Sequence, residues 1–187
     1  MTATVFHTII FLVILLLQKP RFIAGCGYGA PQVPKVCQTM TPNHGVPGQT
    51  TPIPYSLTVD QVKVKPGEEV VLTIRGAGGE AFKGFLIQGR MKRSGNLLSP
   101  IPAGSFKPLN TSKDCKPLNC NGNQASTVTH SHPREKMEYS VIWVAPETVG
   151  SYQLLGTVVK SGDTFWVAKP FPVVEVVYCT APPNEGQ

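Results

Sequence analysis

Lys83, Arg90, Lys92 and Arg93 are the side chains of this sequence best placed for binding chemistry. They lie between Glu80 and Asp114, a window that holds no acidic residue and also carries Lys107 and Lys113. Cations without nearby carboxylates raise the local potential and concentrate anions at a surface. Arg90, Met91, Lys92 and Arg93 follow a strand-like run, so three of the charges are expected together at a strand end or loop. The pattern fits an ordinary solvated face. It also fits a contact for anionic polymers such as sulfated glycans, lipopolysaccharide or teichoic acid. The same four consecutive residues have the form of a basic processing site.

Other constellations fall short of chemistry. His130-Ser131-His132 could present two imidazoles on one strand face, but Pro133 marks a strand end, and two ligands without a third do not make a metal site. Gly76-Ala77-Gly78-Gly79-Glu80-Ala81 imitates a dinucleotide-binding turn. The segment after it has a strand pattern around Gly84 where a helix is needed, and no acidic residue follows about 20 positions on to hold a ribose. It is expected to be a turn between strands. No GxSxG, HExxH or Walker sequence occurs, and only three Asp are available to orient a histidine. Nothing supports an enzyme, a cofactor or a resident metal.

Residues 9–17 are unbroken apolar sequence, and Ala24, Gly25 and Gly27 follow. The run is too short for a membrane span, which needs about 20 residues, and residues 1 to about 25 are expected to be a secretory signal. Two other forms are present: Lys19 and Arg21 after the run, with no cation before it, are the flanks of a reversed anchor, and Ile23-Ala24-Gly25-Cys26 resembles a displaced lipoprotein box. Loss of the leader takes Lys19 and Arg21 with it, leaving 15 basic residues from 17 against 11 acidic ones. Nothing later in the chain is apolar enough to span a membrane.

Cys37, Cys115, Cys120 and Cys179 remain, an even set suited to an oxidising compartment, with Cys26 added or removed by the cleavage point. Four cysteines allow three pairings, and sequence alone does not choose among them. Zinc is disfavoured because Cys115 and Cys120, with four residues between them, have no second closely spaced pair. Asn110-Thr111-Ser112 is a glycosylation sequon near Pro108, expected on an exposed loop.

The elements that must carry these residues are strands. Gly and Pro number 18 each in 187 residues, which is hostile to a helical bundle, while 41% hydrophobic and 15% charged residues argue for one folded domain over a disordered polyelectrolyte. Val70, Leu72 and Ile74 alternate after the Pro66-Gly67 turn. Further β-rich runs cover 55–64, 82–88, 126–129, 139–144, 152–159, 164–167 and 173–178. That makes about eight strands at the spacing of an all-β, antiparallel sandwich. Trp143, with Tyr139 and Val141 on its face, is expected to anchor packing between two sheets, and Trp166 to pack likewise. Residues 95–124 are expected to be a long connection or irregular edge. No segment has the pattern of a long amphipathic helix.

A set of residues in order along the chain carries a family resemblance. Gly29-Ala30-Pro31, Cys37 with Met40, Pro42 and His44-Gly45, the FKGFLIQGR run from Phe82 to Arg90, Leu118-Asn119-Cys120, Thr129-His130, Trp143-Val144-Ala145-Pro146 and Phe165-Trp166-Val167 together resemble the reeler domain. The match covers residues 26–187 as a single domain and is nearest in form to short secreted invertebrate defence proteins of nodulation type. The resemblance implies an immunoglobulin-like β-sandwich, a Cys37–Cys120 disulfide, and a role in innate immunity in which relatives recognise bacterial surface polymers and haemocytes. Cys115 with Cys179 is the first choice for a second bridge once Cys26 is removed. Expected partners are microbial envelope polymers (lipopolysaccharide, lipoteichoic acid, glucan) or other anionic glycans, and no nucleic acid. The alternative is a matrix or adhesion module that binds sulfated glycans or a protein. Larger relatives named ferric-chelate reductases add haem-binding and membrane modules, so reductase chemistry does not carry over to this sequence.

Overall fold

The alternation around Val70, Leu72 and Ile74 becomes an inner strand whose three apolar side chains are fully buried. A computed structural model describes residues 27–111 and 113–178. In chain order the elements are helix α1 (Pro34–Thr39) and strands β1 (Tyr55–Val59), β2 (Lys63–Val64), β3 (Glu69–Gly76), β4 (Gly84–Lys92), β5 (Leu98–Pro102), β6 (Ser105–Pro108), β7 (Cys115–Cys120), β8 (Asn123–His130), β9 (Glu138–Val144), β10 (Gly150–Val159) and β11 (Phe165–Val176). One sheet has the order β1-β3-β9-β6. The other runs β2-β11-β10-β4-β8-β7, with β5 also paired to β4. All pairings are antiparallel except the two-residue contact of β2 with β11.

The sheets pack face to face over one apolar core, as expected of an immunoglobulin-like sandwich. Trp143 sits inside it, fully buried against Tyr152 at a ring distance of 5.7 Å, and its indole N–H donates to Ala103 O at 3.0 Å. The indole lies so close to the β5–β6 turn that a Cβ at Gly104, where φ is +73°, would meet Trp143 Nε1 at 2.3 Å. Trp166 packs edge-on against Tyr55 and donates to Thr51 O at 3.1 Å. The Gly76–Ala81 stretch is a turn, as expected: a short 3-10 turn over Ala77–Gly79 links β3 to the approach to β4.

Three expectations about the strands are corrected. The run 55–64 splits into β1 and β2, which belong to different sheets. The runs 164–167 and 173–178 are one strand, β11, carried through Ala168 at φ +49° and two register shifts. Residues 95–124 are not irregular, since they contain β5, β6 and β7. The reason is proline. It cannot donate to a ladder, so Pro102, Pro108 and Pro117 look like loop residues in a sequence but are tolerated in edge strands. Pro170 and Pro172 are accommodated likewise, because β2 pairs only with Glu175 and Val176 and leaves the rest of that flank of β11 unpaired by strand. The described residues therefore hold eleven strands where about eight are expected.

A third layer lies on the outer face of the larger sheet. Residues 27–51 form a strap across it, burying Val36 and Met40 against Leu86, Leu118 and Leu155. Pro34 starts α1 and Met40 ends it at φ +56°, 1% exposed. The Cys37–Cys120 disulfide bolts the strap to β7, with the Cα atoms 5.4 Å apart. Further ties run from Thr157 Oγ1 to Met40 O (2.8 Å) and from Gln49 N to Phe165 O (2.7 Å).

The expected second bridge is not made. Cys115 is a buried free thiol. By register it is level with His130, Phe85, Val158 and Trp166, whereas β11 ends at Val176, at the other end of the sheet and four strands across. Those offsets are roughly 33 Å along the strands and 19 Å across them. Three more residues of chain reach about 10 Å, and a bridge requires Cα atoms within about 7 Å. Cys26, Cys179 and the leader lie outside the described residues.

Candidate functional site

The four cations do not form one site. Lys83 precedes β4 and Arg93 follows it, so they stand at opposite ends of the strand, roughly 33 Å apart. Lys83 pairs with Glu135 at 3.7 Å. Arg90 is turned into the protein. Its guanidinium donates to Cys37 O (3.0 Å), Gln38 O (2.8 Å) and Gln88 Oε1 (2.8 and 3.1 Å), and burial pushes its pKa below the ordinary arginine value. Gln88, fully buried, donates to the same Cys37 carbonyl at 3.0 Å. Gln88 and Arg90 therefore hold the strap, and Arg90 is corrected from a surface contact to a structural one.

Lys92 and Arg93 remain as a pair at the β4–β5 hairpin. Neither makes an ion pair among the described residues, while Lys107 bonds Glu69 on the other sheet. Arg93 N–H closes the hairpin on Leu97 O at 2.7 Å, and its guanidinium reaches Ser99 Oγ at 3.5 Å. Leu97 and Ile101 on the same hairpin are 69% and 48% exposed. The tip is thus cationic and apolar together, with free carboxylates absent from its own segment.

At the opposite end of β4 a cleft opens between the strap and the sheet, with a volume of about 170 Å³. Gly84, Phe85 and Leu86 of β4, Thr129 and His130 of β8, and Thr157 and Val159 of β10 form its floor. Ala30, Val36 and the turn from Met40 to His44 form the roof, and Lys83, Pro133, Ser161 and Gly162 the mouth. His130 is buried. Phe85 N–H donates to its Nδ1 at 3.1 Å. Thr129 Oγ1 accepts from Ala30 N–H (3.1 Å) and donates to Phe85 O (2.8 Å), which links strap, β8 and β4 in one network. Gly84 is required by closeness: a Cβ there would be 2.6 Å from His130 Cε1. His44 lies edge-on to Phe165 at 5.3 Å, its Nδ1 buried without a hydrogen-bond partner among the described residues. Lys136 braces the mouth, its ammonium donating to the carbonyls of Lys83, His132 and Arg134, and burial lowers its pKa.

The reeler-domain family model matches residues 35–182. This chain belongs to the reeler family. Ferric-chelate reductase 1 of Bos taurus is similar to this reeler domain at 35% identity over 161 residues, 86% of this chain and 26% of that protein. The chain thus spans about a quarter of the length of the reductases it matches. A protein of Antheraea mylitta with the provisional name defense protein 3 is 35% identical over 153 residues, 80% of this chain and 85% of that one. The human F-spondin reeler domain shares the fold, with a TM-score of 0.54 at 23% identity over 70% of this chain and 92% of that one.

The reeler framework accounts for much of the quoted motif set. FKGFLIQGR supplies the cleft floor through Gly84, Phe85 and Leu86, and the strap anchors through Gln88 and Arg90. His130 and His132 do not meet a third ligand: among the described residues no group of three His, Cys, Asp or Glu is placed to hold a metal. Asn110 lies exposed on the bend between β6 and β7. The cleft residues Met40, His44, Thr157 and Gly162 were not expected as site residues, because they come from two distant segments and carry no shared spacing.

Proposed function

We propose that this reeler domain is a secreted binding protein of innate defence, recognising anionic polymers of the microbial envelope through Lys92 and Arg93. The observation that carries this reading is the pair of cations without an ion-pair partner among the described residues, on a hairpin flanked by exposed Leu97 and Ile101. The defence names of insect relatives that match along most of their own length support the context. Secretion, glycosylation at Asn110 and the absence of an enzymatic role belong to the same proposal.

The test is binding to immobilised lipoteichoic acid and lipopolysaccharide at two salt concentrations. Phosphate-type contacts through exposed cations are screened by salt. The Lys92→Ala/Arg93→Ala protein, checked for folding, is expected to lose roughly tenfold in affinity at low salt and most of its salt dependence. Undiminished binding by that variant sinks the assignment. Preferential binding to heparin over both bacterial polymers would favour the matrix-module alternative.

A further inference from the structure

The cleft under the strap has the chemistry of a different site. Its volume of about 170 Å³ is close to the ~150 Å³ engineered cavity that stays dry and holds benzene. It therefore has room for about six carbon atoms, as a ring or as a length of chain. Val36, Met40, Leu86 and Val159 give it mainly apolar walls. Three polar side chains of the wall are already engaged, Thr129 Oγ1 with Phe85 O, Thr157 Oγ1 with Met40 O, and His130 Nδ1 with Phe85 N–H, which leaves His44 Nδ1 as the one buried side-chain polar atom of the lining without a partner among the described residues. Such a slot does not solvate a sugar, and water inside it finds few partners.

Among the Lys, Arg, Asp and Glu side chains at the mouth, Lys83 is the one that lines the cleft itself. Lys83 is about half exposed, and its contact with Glu135 is a 3.7 Å surface pair of the kind that contributes little. An apolar slot with a cation at its rim complements a short hydrocarbon bearing an anionic head. We infer that the cleft receives a hydrocarbon segment of an anionic amphiphile, a medium-chain carboxylate being the simplest case, with Leu86, Val36, Met40 and Val159 around the chain and Lys83 beside the head. The site is separate from Lys92 and Arg93, which lie at the other end of β4, and so goes beyond polymer recognition.

Gly162 provides a clean test. It lines the mouth, a Cβ there would meet nothing within 4 Å, and its φ is outside the left-handed region, so a larger side chain is tolerated. The full chain, purified from the medium of expressing cells, is titrated calorimetrically with octanoate, and thermal unfolding is followed in parallel. Saturable one-to-one binding is expected, with a rise in Tm. Gly162→Phe, with unchanged circular dichroism, is expected to abolish binding, and Lys83→Met to weaken octanoate three- to fivefold while leaving octanol unchanged. Absence of saturable octanoate binding, or full binding by folded Gly162→Phe, overturns the site. Equal affinity for octylammonium overturns the role of Lys83. Competition by lipoteichoic acid but not by its deacylated form assigns the chain to an envelope glycolipid, and competition by neither assigns it to a free carboxylate. Both support the site. Loss of polymer binding in Lys92→Ala/Arg93→Ala with octanoate binding intact separates this inference from the proposed function.

Discussion

Arg90 and Lys92 are two residues apart and play opposite roles. Both point to the outer face of the larger sheet, but the strap covers one and stops short of the other. Arg90 spends its donors on Cys37 O, Gln38 O and Gln88 Oε1. Hydrogen bonds from a charged donor contribute about 1.5–3 kcal/mol each when buried, less when partly solvated. Arg90→Ala is therefore expected to cost about 2 kcal/mol in urea unfolding, with no change in polymer affinity for the protein that remains folded. Arg90→Lys should recover only part of the loss, because one ammonium cannot copy the forked geometry. Cys115 gives the same lesson. A sequence counts it as half of a pair, whereas the fold holds it in the core, where burial raises its thiol pKa.

The strap is the element that roofs the cleft and covers Arg90. It has only a six-residue helix, too short to be stable alone, so its position is set by tertiary ties. The Cys37–Cys120 bridge spans 83 residues of sequence, and closing a loop of that size stabilises a fold by about 2–4 kcal/mol. Cys37→Ala/Cys120→Ala is expected to lower unfolding free energy by that amount. Trypsin should also cut faster at exposed Lys35. Unchanged cleavage at Lys35 would mean that Gln88, Arg90 and Thr157 hold the strap unaided.

At the scale of the molecule, alkaline pH tests how the sandwich closes. Tyr55 is buried between the sheets, donates to Ala81 O at 2.9 Å, and has its pKa pushed up to about 12, first by burial and then by the charge of Glu80. Burial also raises Tyr152. A phenol whose folded pKa lies above the unfolded value near 10 contributes stability that is complete below about pH 10 and is lost as pH rises toward 12. Stability measured by urea unfolding should fall across that window. Tyr55→Phe should flatten the fall while losing about 1 kcal/mol at neutral pH with the hydrogen bond.

The sandwich class was legible from particular residues. Val70, Leu72 and Ile74 alternate because one face of β3 meets the core, and Trp143 belongs there because an indole with an N–H partner can be buried. Those are local facts, and period two survives in any sequence window. The resemblance also supplied Cys37–Cys120, which the structure forms. Strand number was less legible, since Pro102, Pro108 and Pro117 disguise edge strands as loops. The site was least legible. Sequence determined which residues are cationic, apolar or able to bridge. Only tertiary structure decided that Arg90 is consumed by the strap, that Lys83 and Arg93 stand at opposite ends of one strand, and that Val36, Leu86 and Val159 enclose a cleft. Charge and hydrophobicity belong to single residues, whereas exposure and enclosure depend on what distant segments are packed on top of them.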